Sequence, residues 1–428
     1  AVSRDREAVL ADYQAAAIVA EEAKDFNTAK LLYTRMRQLA PESFLSTYRL
    51  ALFYEQEGKL PEARVLMRQL LPPAGPGVPE AHLWFARDLL KAPPSAEITR
   101  QIREHLARVH ALSPGHSEAY GMQGTLELRY GNAEAAAEAF RRTLTTTPEY
   151  GLALARSYVL LERREDARRA ALETIKAYET RLAARFDDHD ARKRLAQAYT
   201  FLHEFERALR KLQEGLEISR DVEYEKEIAK VHLTWALVSD SVDDRWRRFE
   251  ESFEHDATSP DLFQQLVSAA AAGEGVFLRA MLDRKRQVPQ CRVEAALISA
   301  LLDLAAQKPD LARLHLKLLG PEDRARAASS LSEFARRSKM HTGPALAWLE
   351  AALEVWPSEG MLRQTYGEAL AAAGKLHESL AELRRALGDR SDDLWLHAAL
   401  ADVYGKLGLK ERAAEHARKA EPLGLIGR

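Results

Sequence analysis

The stretch from Gly360 to Pro422 repeats itself. Shifted by 34 residues, Gly374 falls on Gly408, Leu370 on Tyr404, Gly367 on Ala401, Ser379 on Ala413 and Ala386 on Ala420. Small residues recurring at this period mark a helix-turn-helix unit that stacks on its neighbours. Tyr366, Leu370 and Leu376 line the apolar side of one hairpin, with Leu380, Leu383 and Leu387 behind them at helical spacing. Gly367, Ala369, Ser379 and Ala386 allow the two backbones to approach closely, and Gly374 suits a left-handed cap on the first helix. A lone hairpin leaves its apolar face open, so several must stack to bury a continuous core.

The same register opens the chain. Ala17, Ala20, Ala29 and Tyr33 recur as Ala51, Tyr54, Ala63 and Met67. Leu71 to Pro79 reads LPPAGPGVP, too rich in Pro and Gly for helix. Trp84 and Phe85 belong to a helix cut short by Pro93-Pro94, and a second helix runs from about Ser95 to Leu112. Tyr120, Gly124, Gly131, Ala136 and Phe140 form a clear repeat, followed by Ala155, Tyr158 and Ala167, whose second helix continues to about Arg185. Leu195, Ala196, Tyr199, Phe205, Ala208 and Leu212 give the next. From Asp261 to Gln307 the register blurs, which predicts helices of degraded consensus. The expected organisation is an N-terminal array over 1–220 with a Pro-rich loop near 72–79, degenerate helical repeats over 221–342, and C-terminal repeats over 343–428. No polar capping helix is visible in Glu421 to Arg428.

This set of positions resembles the tetratricopeptide repeat family. The resemblance implies an all-α, right-handed superhelical solenoid whose concave face is lined mainly by the first helix of each repeat. It also implies a ligand groove for peptides or protein surfaces, without catalysis. Carried onto this chain, the groove would include Gln14, Tyr48 and Arg49, then Met122, Thr125, Arg129 and Arg156, then Lys193, Arg194, Gln197 and Phe201. Arg129, Arg156, Lys193 and Arg194 suggest a basic strip suited to an acidic peptide or a C-terminal carboxylate. Chaperone-binding members use a carboxylate clamp of Lys, Asn and Arg. Here Asn27 and Asn132 fall in inter-helix turns, so that clamp is not expected.

Composition narrows the rest. A formal net charge of −2 gives no global attraction to nucleic acid or anionic lipid. One cysteine, Cys291, excludes an internal disulfide framework and a multi-cysteine zinc site. No run of 18 apolar residues is present. The start at Ala1-Val2-Ser3 raises the expectation of a removed leader or anchor, and leaves the compartment open between cytoplasmic and extracytoplasmic. No phosphate loop, nucleophile elbow or HExxH motif occurs. Ser117 reads as a helix N-cap with Tyr120 packing inward. The dispersed histidines read as surface or groove residues, Cys291 as a packed thiol, and LERREDARRA and DDRWRRFEE as solvated helix faces. The expectation is therefore a scaffold that binds a protein or peptide, with no catalytic residues, metal or cofactor and no nucleic acid. Alternatives are a self-assembling homo-oligomeric scaffold, or the recruiting module of a larger membrane-anchored or enzymatic protein.

Overall fold

The computed structural model describes residues 2–72, 75–91, 95–143, 147–337 and 343–420. Among these no strand occurs. The chain divides into two compact units, Ala1–Leu202 and His203–Arg428. The tail after Ala420 and the Pro93-Pro94 break lie outside the described residues, as does part of the Pro-rich loop.

The first unit holds α1 (Val2–Glu22), α2 (Phe26–Leu39), α3 (Phe44–Gln56), α4 (Leu60–Gln69), α5 (Pro79–Leu90), α6 (Ala96–Leu112), α7 (Ser117–Arg129), α8 (Ala133–Arg141), α9 (Gly151–Leu160), α10 (Arg164–Ala184) and α11 (His189–Phe201). Each helix packs on the next in chain order, so the contacts are those of a stack. Buried Ala29, Tyr33, Leu50, Ala51, Met67 and Trp84 make one continuous core through the first two hairpins and onto α5. The long α10 matches the extension expected toward Arg185.

The second unit holds α12 (Phe205–Ser219), α13 (Val222–Val238), α14 (Val242–His255), α15 (Pro260–Ala269), α16 (Gly275–Lys285), α17 (Arg292–Ala305) and α18 (Pro309–Lys317). It continues with α19 (Pro321–Arg337), α20 (Gly343–Val355), α21 (Gly360–Ala372), α22 (Leu376–Asp389), α23 (Leu394–Lys406) and α24 (Lys410–Ala420). Its main core runs without a break from Leu233 to Ala369. The stretch with blurred register is therefore fully packed.

A left-handed residue ends many of the first helices, though α13 ends at Ser239 with φ −75°. Positive φ occurs at Lys24, Gly58, Gly131, Glu162, His203, Gly273, Gln307, Gly374 and Gly408. Around it the backbone closes a Schellman cap. Gly131 N–H donates to Leu128 O at 3.0 Å, and Asn132 N–H to Glu127 O at 2.9 Å. Glu162 and Gln307 make the same bonds without being glycine: Arg163 N–H reaches Tyr158 O, and Lys308 N–H reaches Asp303 O, each at 2.8 Å.

A side chain in this region costs about 1–2 kcal/mol. Glu162→Gly removes that strain and adds unfolded-state freedom worth about 0.4–1 kcal/mol. The expected result is a net gain of about 0.5 kcal/mol, read as a raised urea midpoint at unchanged slope. A lowered midpoint would contradict it.

Candidate ligand-binding face

The left-handed turns index the hairpins that carry them. Seven residues before them lie Ala17, Ala51, Gly124, Ala155, Ala196, Ala300, Gly367 and Ala401. Five residues after them lie Ala29, Ala63, Ala136, Ala167, Ala208, Ala312, Ser379 and Ala413. Most of these are buried, with only Ala401 and Ala413 partly open. The fold is that of tetratricopeptide repeats. One hairpin breaks the pattern: Leu266 and Leu278 stand at these two places around Gly273, both fully buried in the core.

No family model matches the chain, and no curated protein matches it. Similar solved structures include human IFIT1, as a dimer with PPP-AAAA, at 14% identity over 96% of this chain and 89% of that one, TM-score 0.36. A thermophilic TPR protein of Thermus thermophilus is 17% identical over 44% of this chain and 98% of its own, TM-score 0.35. Yeast Tom70 is 10% identical over 97% and 92%, TM-score 0.29. These likenesses concern helical architecture and say nothing of a ligand.

In a tetratricopeptide hairpin, the first-helix residues not spent on packing form the accessible face. Gln14 is exposed on α1, and Tyr48 and Arg49 are half-buried on α3. Arg129 ends α7 and Arg156 rides α9, both exposed. On α11, Arg194 is exposed while Lys193 and Gln197 are half-buried. Met122, by contrast, is buried in the core, so the packing removes it from this face.

Arg49 borders a recess of ≈ 230 Å³ lined by Glu21, Phe26, Arg49, Leu52, Phe53 and Gln56. Its Nη1 stands 3.4 Å from Glu21 Oε2. Tyr48 stacks on Phe44 at 5.6 Å, and burial raises its phenol pKa. Arg129 donates to Leu90 O at 2.6 Å, tying the end of α7 to the end of α5. Arg194 lies 3.6 Å from Asp190. Nearby Arg181 donates to Asp188 at 2.7 Å and to Glu149 at 3.2 Å. Arg87 lies 3.6 Å from Glu118. A wider recess is lined by His116, Ser117, Glu118, Thr147, Glu149 and Tyr150. Two of the candidate arginines, Arg49 and Arg194, thus sit close to carboxylates of this chain.

Several sequence expectations need correction. His116, not Ser117, is the N-cap of α7, and it makes no side-chain cap bond. Ser117 Oγ instead meets Thr147 Oγ1 at 2.5 Å. Tyr120 is half-buried with its ring 4.4 Å from that of His110, while its hydroxyl donates to Pro114 O and accepts from Arg142. Arg248 is no solvated charge, since its guanidinium lies 3.3 Å from the centre of the Trp235 ring. Cys291, by contrast, is the packed thiol the sequence suggested: it is fully buried, donates to Phe253 O at 3.5 Å, and burial pushes its thiol up to about 11. A thiol held there is protonated and unreactive at neutral pH.

Buried charges were the features missed altogether. Glu294 and Asp303 are nearly inaccessible. Glu294 is gripped by Arg326, and Asp303 lies 2.9 Å from Arg279 and 3.0 Å from His315. Among the described residues no group of three or more His, Cys, Asp or Glu is placed to hold a metal, and no helix is long and apolar enough to cross a membrane.

Proposed function

We propose that this chain is a non-catalytic scaffold whose first-helix face binds a peptide or protein partner. The observation that carries the reading is a division of labour on the first helices. Small residues are consumed at the crossings, while Gln14, Tyr48, Arg49, Arg129, Arg156, Lys193, Arg194 and Gln197 are left half-buried or exposed along successive hairpins. Long polar side chains on rigid helices offer many directional contacts at fixed spacing, which suits an extended ligand. Arg156, Lys193 and Arg194 make an acidic segment of the partner the better match, because guanidinium groups grip carboxylates two-pronged. Arg129 contributes less, being committed to Leu90 O.

Arg156→Glu with Arg194→Glu should reduce recovery of an acidic partner about tenfold or more, since two favourable contacts become repulsive. Partner recovery by affinity capture, quantified by mass spectrometry, measures this, and far-UV circular dichroism should be unchanged. Undiminished recovery with intact helicity would remove this face from the binding site.

A further inference from the structure

Two histidine pairs recur, one in each unit, each built on a buried histidine. His82 on α5 is 8% exposed and His397 on α23 is 4% exposed. Each meets a histidine of the following helix, Nδ1 to Nδ1 at 2.8 Å: His105 on α6 in one case, His416 on α24 in the other. Each also turns Nε2 to a backbone carbonyl six residues earlier, Pro76 O at 2.9 Å and Ser391 O at 3.0 Å. A carbonyl only accepts, so Nε2 carries hydrogen in His82 and His397. In a neutral ring Nδ1 is then a bare acceptor. The shared proton therefore belongs to Nδ1 of His105 and of His416. A ring stacks on each donor: Phe85 on His105 at 5.4 Å and 12°, Tyr404 on His416 at 5.4 Å and 24°.

We propose that these two pairs are acid-sensitive latches, which hold the α5–α6 and α23–α24 hairpins closed near neutral pH and loosen them as pH falls. The closed geometry accommodates neutral rings. Doubly protonating either pair would set two N–H donors head to head across 2.8 Å. Charging one ring already opposes burial. Burial and then His82 push His105 down to about 4, against a smaller upward pull from Glu104. Burial and then His397 lower His416 as well, with Glu415 pulling upward and Lys419 and Arg412 adding to the lowering. A histidine in the opened hairpin titrates near its ordinary value of about 6.5. The closed state thus binds fewer protons than the open one. Stability is intact above about pH 6.5 and is lost progressively as pH falls toward the lowered values.

Hydrogen exchange of the full chain at pH 7.5 and 5.0, corrected for intrinsic rates, tests the proposal. Protection across α5–α6 should fall about thirtyfold for one latch histidine, by proton linkage. Protection across α23–α24 should fall in the same direction, and the histidine-free α9–α10 hairpin should respond least. His105→Gln and His416→Gln keep a donor facing the partner ring but cannot titrate there. Each should lower its own hairpin's acid response to that of α9–α10 and leave the other latch responsive. Equal acid loss in all three hairpins, or an undiminished response in the variants, would overturn the proposal. If the variants do not fold, nitrogen-resolved NMR of histidine in the unaltered chain decides. Two Nδ1–H and two Nε2–H rings, with His105 still neutral at pH 5.5, are expected. Titration of His105 near pH 6.5 would overturn it.

Discussion

Arg326→Met is expected to destabilise the second unit by about 3–5 kcal/mol, because it leaves a carboxylate buried without its counter-charge. Glu294 is fully inaccessible on α17. Arg326 on α19 reaches it two-pronged, Nε to Oε1 at 2.9 Å and Nη2 to Oε2 at 2.7 Å. The same Nη2 donates to Gln290 O at 2.7 Å, and Ser330 Oγ donates to Oε1 at 3.1 Å. Methionine preserves much of the arginine stem and removes every one of the guanidinium donors. Ser330 alone cannot solvate the charge that remains. The double variant Glu294→Leu, Arg326→Met should recover most of the loss, since no charge is then stranded. Urea denaturation of the single and double variants measures both effects. A single variant within about 1 kcal/mol of the parent would mean that water reaches Glu294 and that the pair is a surface bridge.

This pair also shows where sequence reading stops. Period and hairpin positions were legible because their physical requirement is narrow: only a small residue fits where two helix axes cross. Leu266 and Leu278 stand at the corresponding places around Gly273, and the register blurred there although both are fully buried in the core. The turn signal was legible at Gly131, Gly374 and Gly408 and silent at Lys24, Glu162, His203 and Gln307, where other side chains adopt the same left-handed backbone. Arginines and glutamates at helical spacing look alike whether they face water or, like Glu294, a neighbouring helix 32 residues away in the chain. The histidine latches escaped for a related reason. His82 and His105, or His397 and His416, meet across a hairpin, and no spacing along one helix announces them. The candidate face was legible as a set of positions. Its charge was not, because Glu21, Glu118, Glu149 and Asp190 approach its neighbourhood from other turns and helices.

The size match at the helix crossings sets a second strong expectation. A Cβ added to Gly124 would stand 2.6 Å from the Phe140 ring, and one added to Gly367 would stand 2.7 Å from Leu383 Cγ. In both hairpins the missing side chain on the first helix is space that the second helix fills. Phe140 is 1% exposed, so its ring cannot swing into solvent without leaving the core. Gly124→Ala should therefore cost about 1–3 kcal/mol by overpacking, even though alanine is the better helix former. Phe140→Ala should cost about 3–5 kcal/mol by opening a cavity. The decisive variant combines Gly124→Ala with Phe140→Leu: the smaller side chain makes room for the added methyl. Its cost should be less than the sum of the two single substitutions by about 1 kcal/mol, measured as a coupling in a double-mutant cycle. Strict additivity would mean that the ring and the glycine do not compete for the same space. The close approach of α7 and α8 would then owe its stability to contacts elsewhere on the two helices.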